Sequence, residues 1–192
     1  MPNPRKATLV LTAAMAVFAI AGCGGPAAEP SGAEAEPHHE GIAAELDGLQ
    51  YNIYLTRQLN LEDTEDSGYT TLDPPPPGKT YYASFFSVCN PPEGEEAHTT
   101  ATQMEVTDSQ GNVFQPIDIS DSQFAYESTE LEPGDCMPTK GSLTDMAPAG
   151  GALVVFELPV ATTENRPLDL KITSPETPAT GEPHTLTFTL DL

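Results

Sequence analysis

Tryptophan is absent from the 192 residues, and cations are scarce: 7 Lys and Arg face 29 Asp and Glu, a formal charge of −22. A phosphate backbone needs a basic face to bind, and no Lys/Arg cluster supplies one, so nucleic-acid binding by electrostatics is excluded. The same shortage excludes adhesion to an anionic lipid surface through a polybasic patch. Cysteine is limited to 3 positions and histidine to 4, with no Cys-x-x-Cys spacing of the kind that redox or metal chemistry uses. There is no Gly-x-Ser-x-Gly elbow and no Ser-x-x-Lys motif, so no recognised hydrolytic nucleophile is on offer. No apolar run reaches the roughly 20 residues of a membrane-spanning helix. No internal repeat is visible, and the length fits one domain. What is plentiful is acid, 20 prolines, 15 glycines and short alternating apolar stretches.

The N-terminus carries an address. Arg5 and Lys6 precede an apolar run from Ala7 to Ala21. A basic start, a short apolar core and small residues after it make a secretory signal. Without that signal, 5 basic residues remain against 29 acidic ones, a charge of −24. The run closes on Ile20-Ala21-Gly22-Cys23, which resembles the lipobox of bacterial lipoproteins, with Ile20 where that family usually carries Leu. The resemblance implies a signal peptide over residues 1–22 and a diacylglycerol on the Cys23 sulfur, with Cys23 as the new N-terminus. Each buried methylene of an acyl chain contributes about 0.8 kcal/mol, so two or three palmitate-like chains hold a protein firmly. The implied partner is the membrane, and the implied location is the extracellular face of the cell membrane. The competing reading is an ordinary cleaved signal with an incidental cysteine.

Residues 23–40 then read as a lipid-anchored, disordered acidic linker. The run GGPAAEPSGAEAEPHHE is small, acidic and rich in proline, with no periodicity to support a core. Its charge and prolines favour an extended tether. His38 and His39 beside Glu40 have the chemistry of transition-metal ligands, but two adjacent histidines rarely converge on one ion without further ligands. A solvated linker is the preferred reading.

From Gly41 to Leu192 the pattern is that of strands. One turn of helix is expected only at Gly41 to Leu46. Leu49, Tyr51, Ile53 and Leu55 fall on one face of a first strand. Tyr82, Phe86 and Val88 share a face of another, with Phe85 opposite. Met104 and Val106 lead into the turn signal Asp108-Ser109-Gln110-Gly111, after which Val113-Phe114 resumes, the pattern of a hairpin. Leu153 to Phe156 is continuously apolar, as in a strand buried in a sandwich core. Leu168, Leu170 and Ile172 alternate, as do Leu186, Phe188, Leu190 and Leu192, with threonines on the other face. Seven or eight short strands with Pro/Gly turns predict an all-β, immunoglobulin-like antiparallel sandwich. Asn60 to Pro77, Asn90 to Glu96 and Thr173 to Pro183 are expected loops.

The order of these segments carries a second resemblance. The strand Tyr82 to Cys89 ending in Asn90, the strand–turn–strand Met104 to Phe114, Leu131-Glu132-Pro133-Gly134, Gly151 to Pro159 and Leu168-Asp169-Leu170 follow one another. This succession is similar to the telokin-like, immunoglobulin-fold domain of unknown function in many Gram-positive secreted lipoproteins. In that family the Leu-x-Pro-Gly and Gly-x-x-x-Phe-x-x-Pro segments sit closer together; here Asp135 to Gly150 intervenes. The resemblance implies a fold and an export route and brings no catalytic residues and no cofactor. A link from fold to binding is associational only.

With Cys23 assigned to lipid, Cys89 and Cys136 remain as an even pair in an oxidising compartment, and a disulfide between them is expected. Residue chemistry offers two functional rivals to a binding module. His98 and His184 are the only histidines outside the linker; each stands near an expected loop or strand start, where a solvated histidine is the common outcome. Soft copper ligation would draw on Met104, Met137, Met146 and His98, without any ordered motif. Hard cations prefer clustered oxygens, which Glu62, Asp63, Glu65 and Asp66 offer, as do Asp118-Ile119-Ser120-Asp121. Neither run matches a calcium loop. The expectation is therefore a non-catalytic extracellular module that binds a protein or small ligand, with the acidic loop Leu61 to Asp73 as its first candidate surface. A metal-handling envelope lipoprotein is the alternative and an enzyme is less favoured. The acidity itself serves solubility.

Overall fold

The computed structural model describes residues 36–175 and 183–191. The signal segment, Cys23 and most of the expected linker lie outside the described residues, as does Leu192.

The described chain runs through β1 (His38–His39), β2 (Ala44–Leu46), β3 (Leu49–Leu59), a one-turn helix α1 (Thr64–Ser67), β4 (Lys79–Cys89), β5 (His98–Thr99), β6 (Gln103–Asp108) and β7 (Val113–Phe114). It continues through β8 (Glu130–Leu131), β9 (Cys136–Met137), a short helix α2 (Leu143–Met146), β10 (Ala152–Pro159), a 3-10 turn (Val160–Glu164), β11 (Leu168–Thr173) and β12 (Thr185–Leu190). One sheet has the order β1-β12-β11-β6-β7. The other has the order β10-β4-β3-β2, with β9 attached to β4, and β5 and β8 form a small separate ribbon. All named strand pairs are antiparallel except β1 with β12. The class is an antiparallel β-sandwich, as the alternation predicts.

The main core lies between the two sheets. Tyr51, Ile53, Phe86, Val88, Val154 and Phe156 from one layer meet Met104, Val106, Leu170, Ile172 and Phe188 from the other. The threonines of β12 occupy the alternate register, which is why only Leu186, Phe188 and Leu190 are buried there. A second cluster covers the outer face of the β10-β4-β3 layer, built on Phe85, Ala83, Leu153 and Val155 and roofed by Tyr69 and Ile119 from loops. Strands β4 and β10 are therefore buried on both faces. That explains the unbroken apolar run Leu153 to Phe156: a strand with no wet face needs no polar alternation.

Three expectations are corrected. Gly41 to Leu46 is not a helical turn: Ala44–Leu46 is strand β2, joined to β3 by the tight turn Asp47-Gly48, both at positive φ. Asp-Gly is the pair that such a turn favours. Second, Leu55 does not share a face with Leu49, Tyr51 and Ile53. The register with β4 slips between Ile53 and Leu55, so Tyr54 is the extra residue of a bulge and every later side chain of β3 is turned over. Leu55 is consequently 38% exposed while Ile53 is fully buried. Third, the sandwich begins before Gly41. His38 and His39 form β1, opposite Phe188 and Thr189 on the edge of β12. The His38 ring lies 5.8 Å from that of Phe188, and Gly41 N–H donates to the Ile53 carbonyl. The end of the expected linker is thus part of the domain.

Candidate functional site

The acidic stretch after β3 is held by its own hydrogen bonds. The Asp63 carboxylate accepts from Glu65 N–H at 2.8 Å and caps α1. Asp66 is buried and faces inward, where it accepts from the Arg57 guanidinium at 2.5 Å and from Asn60 N–H at 2.7 Å. Burial opposes the charge on Asp66, but the hydrogen bonds from Arg57 and Asn60 and the positive charge of Arg57 outweigh it and hold the carboxyl below its ordinary range. Glu65 lies 3.6 Å from the same guanidinium, which also stands 5.7 Å from the Phe85 ring centroid. Glu62 contributes its N–H to the Asn60 side chain and is exposed. The four candidate cation ligands Glu62, Asp63, Glu65 and Asp66 therefore do not present four free carboxylates: one caps a helix, one is closed by Arg57, and a third shares that cation. Among the described residues no group of three or more His, Cys, Asp or Glu is placed to hold a metal ion.

The methionine and histidine set is scattered. Met104 is in the main core, Met137 packs partly against it on β9, and Met146 is exposed on α2. His98 sits on β5 with its imidazole over Gly48; a Cβ there would lie 2.7 Å from Nε2. His184 pairs through Nδ1 with Asp47. The side chain of Ser174 also bonds to Asp47, and His98 lies close enough to act on its charge. Burial works against that carboxylate, yet Ser174 and the two histidines together lower its pKa. Sequence reading named both histidines and missed Asp47, whose only signal is the Asp-Gly turn that aims it at them. This cluster brings a serine, a histidine and an acid together at the Asp47-Gly48 turn. Its role is to clasp the β2–β3 turn to the ends of β11 and β12.

Cys89 and Cys136 are joined in a disulfide, their Cα atoms 4.1 Å apart, across the register of β4 and β9. The next residue, Asn90, is buried and locks the adjoining loop. Its Nδ2 donates to the carbonyls of Glu96 and Leu131 at 2.9 Å each, and its backbone bonds with Asp135 and Gly134.

The apolar opening of most interest lies where the segment after β7 crosses the side of the sandwich. Pro116 and Ala125 are bridged to Phe156 and Leu153 of β10, and between them Ile117 N–H donates to the Val155 carbonyl at 2.8 Å. The gap has a volume of about 180 Å³ and is lined by Met104, Leu153, Val154, Tyr126, Asp118 and Glu127, among others. Tyr126 is fixed as a wall: its hydroxyl donates to the Ala101 carbonyl at 2.6 Å, and its ring lies 4.9 Å from that of Phe86. Tyr51 accepts from Ala101 N–H at 2.9 Å beside it. Burial pushes the Tyr51 hydroxyl up to about 12 and that of Tyr126 upward as well, so both stay neutral. Asp118 keeps its charge: Ser120 donates to it through N–H at 2.9 Å and through its hydroxyl, which lowers the carboxyl pKa.

The fold defines the chain as a member of the broad class of antiparallel β-sandwich proteins. No family model matches it, and no curated protein does. Among solved structures it is similar to the yjhA protein of Bacillus subtilis, with a TM-score of 0.51 and 12% identity over 80% of this chain and 99% of that one. It also resembles a Bacillus subtilis protein described as a putative lipoprotein, ycdA, at TM-score 0.49 and 9% identity; the match takes in 79% of this chain and only 39% of that one. A Clostridium difficile uncharacterized β-sandwich protein matches at TM-score 0.43 and 13% identity, over 85% of this chain and 100% of that chain. At such identities the likeness is one of fold.

Proposed function

We propose that this chain is a cell-surface lipoprotein whose β-sandwich, of the telokin-like type, is a non-catalytic binding module presented on the outer side of the membrane. The observation that carries the reading is the N-terminal order of Arg5-Lys6, a fifteen-residue apolar run and Ile20-Ala21-Gly22-Cys23, which fits signal cleavage and lipidation and is too short to span a bilayer. Two further points support it. The Cys89–Cys136 bond suits an oxidising compartment. The sequence carries neither a Gly-x-Ser-x-Gly elbow nor a Ser-x-x-Lys motif. No helix among the described residues is long and apolar enough to cross a membrane. The test is Cys23→Ser. The wild-type protein is expected in the membrane fraction with acyl mass on its mature N-terminus, and the variant is expected to leave that fraction. Retention of the variant there overturns the reading.

A further inference from the structure

We propose that the gap between the segment 116–127 and strand β10 binds a small organic cation with an apolar body, an alkyl- or arylammonium group. The floor is apolar and belongs to the rigid layers: Met104 of β6 with Leu153 and Val154 of β10, all buried. At about 180 Å³ the space is comparable with cavities of ~150 Å³ that accept a single benzene ring. It therefore suits one ring or one branched aliphatic group. The charged groups lining the opening are all of one sign. Asp118 and Glu127 stand on the rim as exposed carboxylates, and no Lys or Arg lines the gap. Asp118 is held in place by Ser120. The wall between floor and rim is the Tyr126 ring, fixed at its hydroxyl end by Ala101. A cation at the opening meets two carboxylates beside an apolar, low-dielectric wall, where attraction between opposite charges is less screened than in water. An anionic ligand would meet the rim charges and the field of a chain at −22. This site rests on the binding-module reading and gives it a ligand class. The acidic loop Leu61 to Asp73 is a poorer candidate, because Arg57 already occupies it.

The test uses the full chain and three probes of one shape: 2-phenylethylammonium, neutral 2-phenylethanol and anionic 3-phenylpropionate. Methyl resonances of Met104, Leu153 and Val154 are followed by NMR during titration. Expected are saturable shifts confined to this gap, with the cation bound at least fivefold more tightly than the alcohol and the anion weakest. Asp118→Asn should remove most of that preference, and Thr102→Trp, at an exposed lining position, should block the shifts while leaving the rim charges. A short peptide carrying Phe beside Lys separates a protein-borne group from a free amine. Tighter binding of the peptide assigns the cation to a partner chain; tighter binding of the amine assigns it to a metabolite-sized ligand. Absence of saturable shifts into the tens of millimolar, equal affinity for cation and alcohol, or unchanged binding by Thr102→Trp each overturns the proposal. None of these results bears on membrane fractionation of Cys23→Ser, so failure of the site and failure of the anchoring reading are distinct.

Discussion

Single side chains decide several of the local outcomes. Asp66 stands in a run that reads as exposed acid, yet its carboxylate points inward to Arg57 and the Asn60 N–H. Its pKa is lowered in the fold, so the stability it confers is fully present above the ordinary aspartate value of about 3.9 and is lost as pH falls through the lower folded value. Asp66→Asn removes a charge-assisted bond and leaves Arg57 half-paired, at a cost of about 2 kcal/mol at neutral pH. Urea unfolding at pH 7 should show that loss, and the gap between variant and wild type should narrow at pH 3. Equal stability at pH 7 would mean that the pair contributes nothing. Gly151 illustrates a different constraint. Its φ is +112°, and a Cβ there would lie 2.9 Å from both the N and the O of Phe86. Only glycine allows β10 to start against β4 in this way.

At the level of elements, alternation was a reliable guide wherever a strand has one wet face and one dry one. Strands β6, β11 and β12 follow their patterns residue by residue. It misled where a backbone irregularity intervened: nothing in Ile53-Tyr54-Leu55 announces that Tyr54 is looped out, because a bulge is set by the pairing partner as much as by the bulged strand. The two-residue strand β9 was equally invisible in sequence, being too short for any period. It is held by Asn90 and by the Cys89–Cys136 disulfide. In the chain-entropy model, a bond between positions 47 residues apart stabilises by about 4 kcal/mol. Reduction, or the double change Cys89→Ser with Cys136→Ser, should lower the urea midpoint accordingly without abolishing the fold, since both layers keep their cores. A midpoint indifferent to reductant would show that the bond adds nothing to stability.

For the molecule as a whole, charge and apolar area oppose each other. A chain at −22 repels itself when compact, and the described residues offset only part of that through pairs such as Lys79 with Glu157 and Lys171 with Glu105. Raising ionic strength from about 0.01 M to 0.15 M shortens the screening length from ~30 Å to ~8 Å. The melting temperature followed by circular dichroism should therefore rise by a few degrees; a flat or falling response would show that self-repulsion is not a significant term.

Cysteine pairing, fold class and the core-facing residues of most strands were legible in the order of residues alone. Each depends on local composition, on a period of two or on simple counting. Which acids are free, which histidine meets Asp47, and where the sandwich leaves a gap could be decided only by the tertiary structure. Those features join residues far apart in the chain, as Asp47 is from His184 or Asp118 from Val154. Such meetings are fixed by strand order and by one slipped register, neither of which leaves a trace in a single sequence.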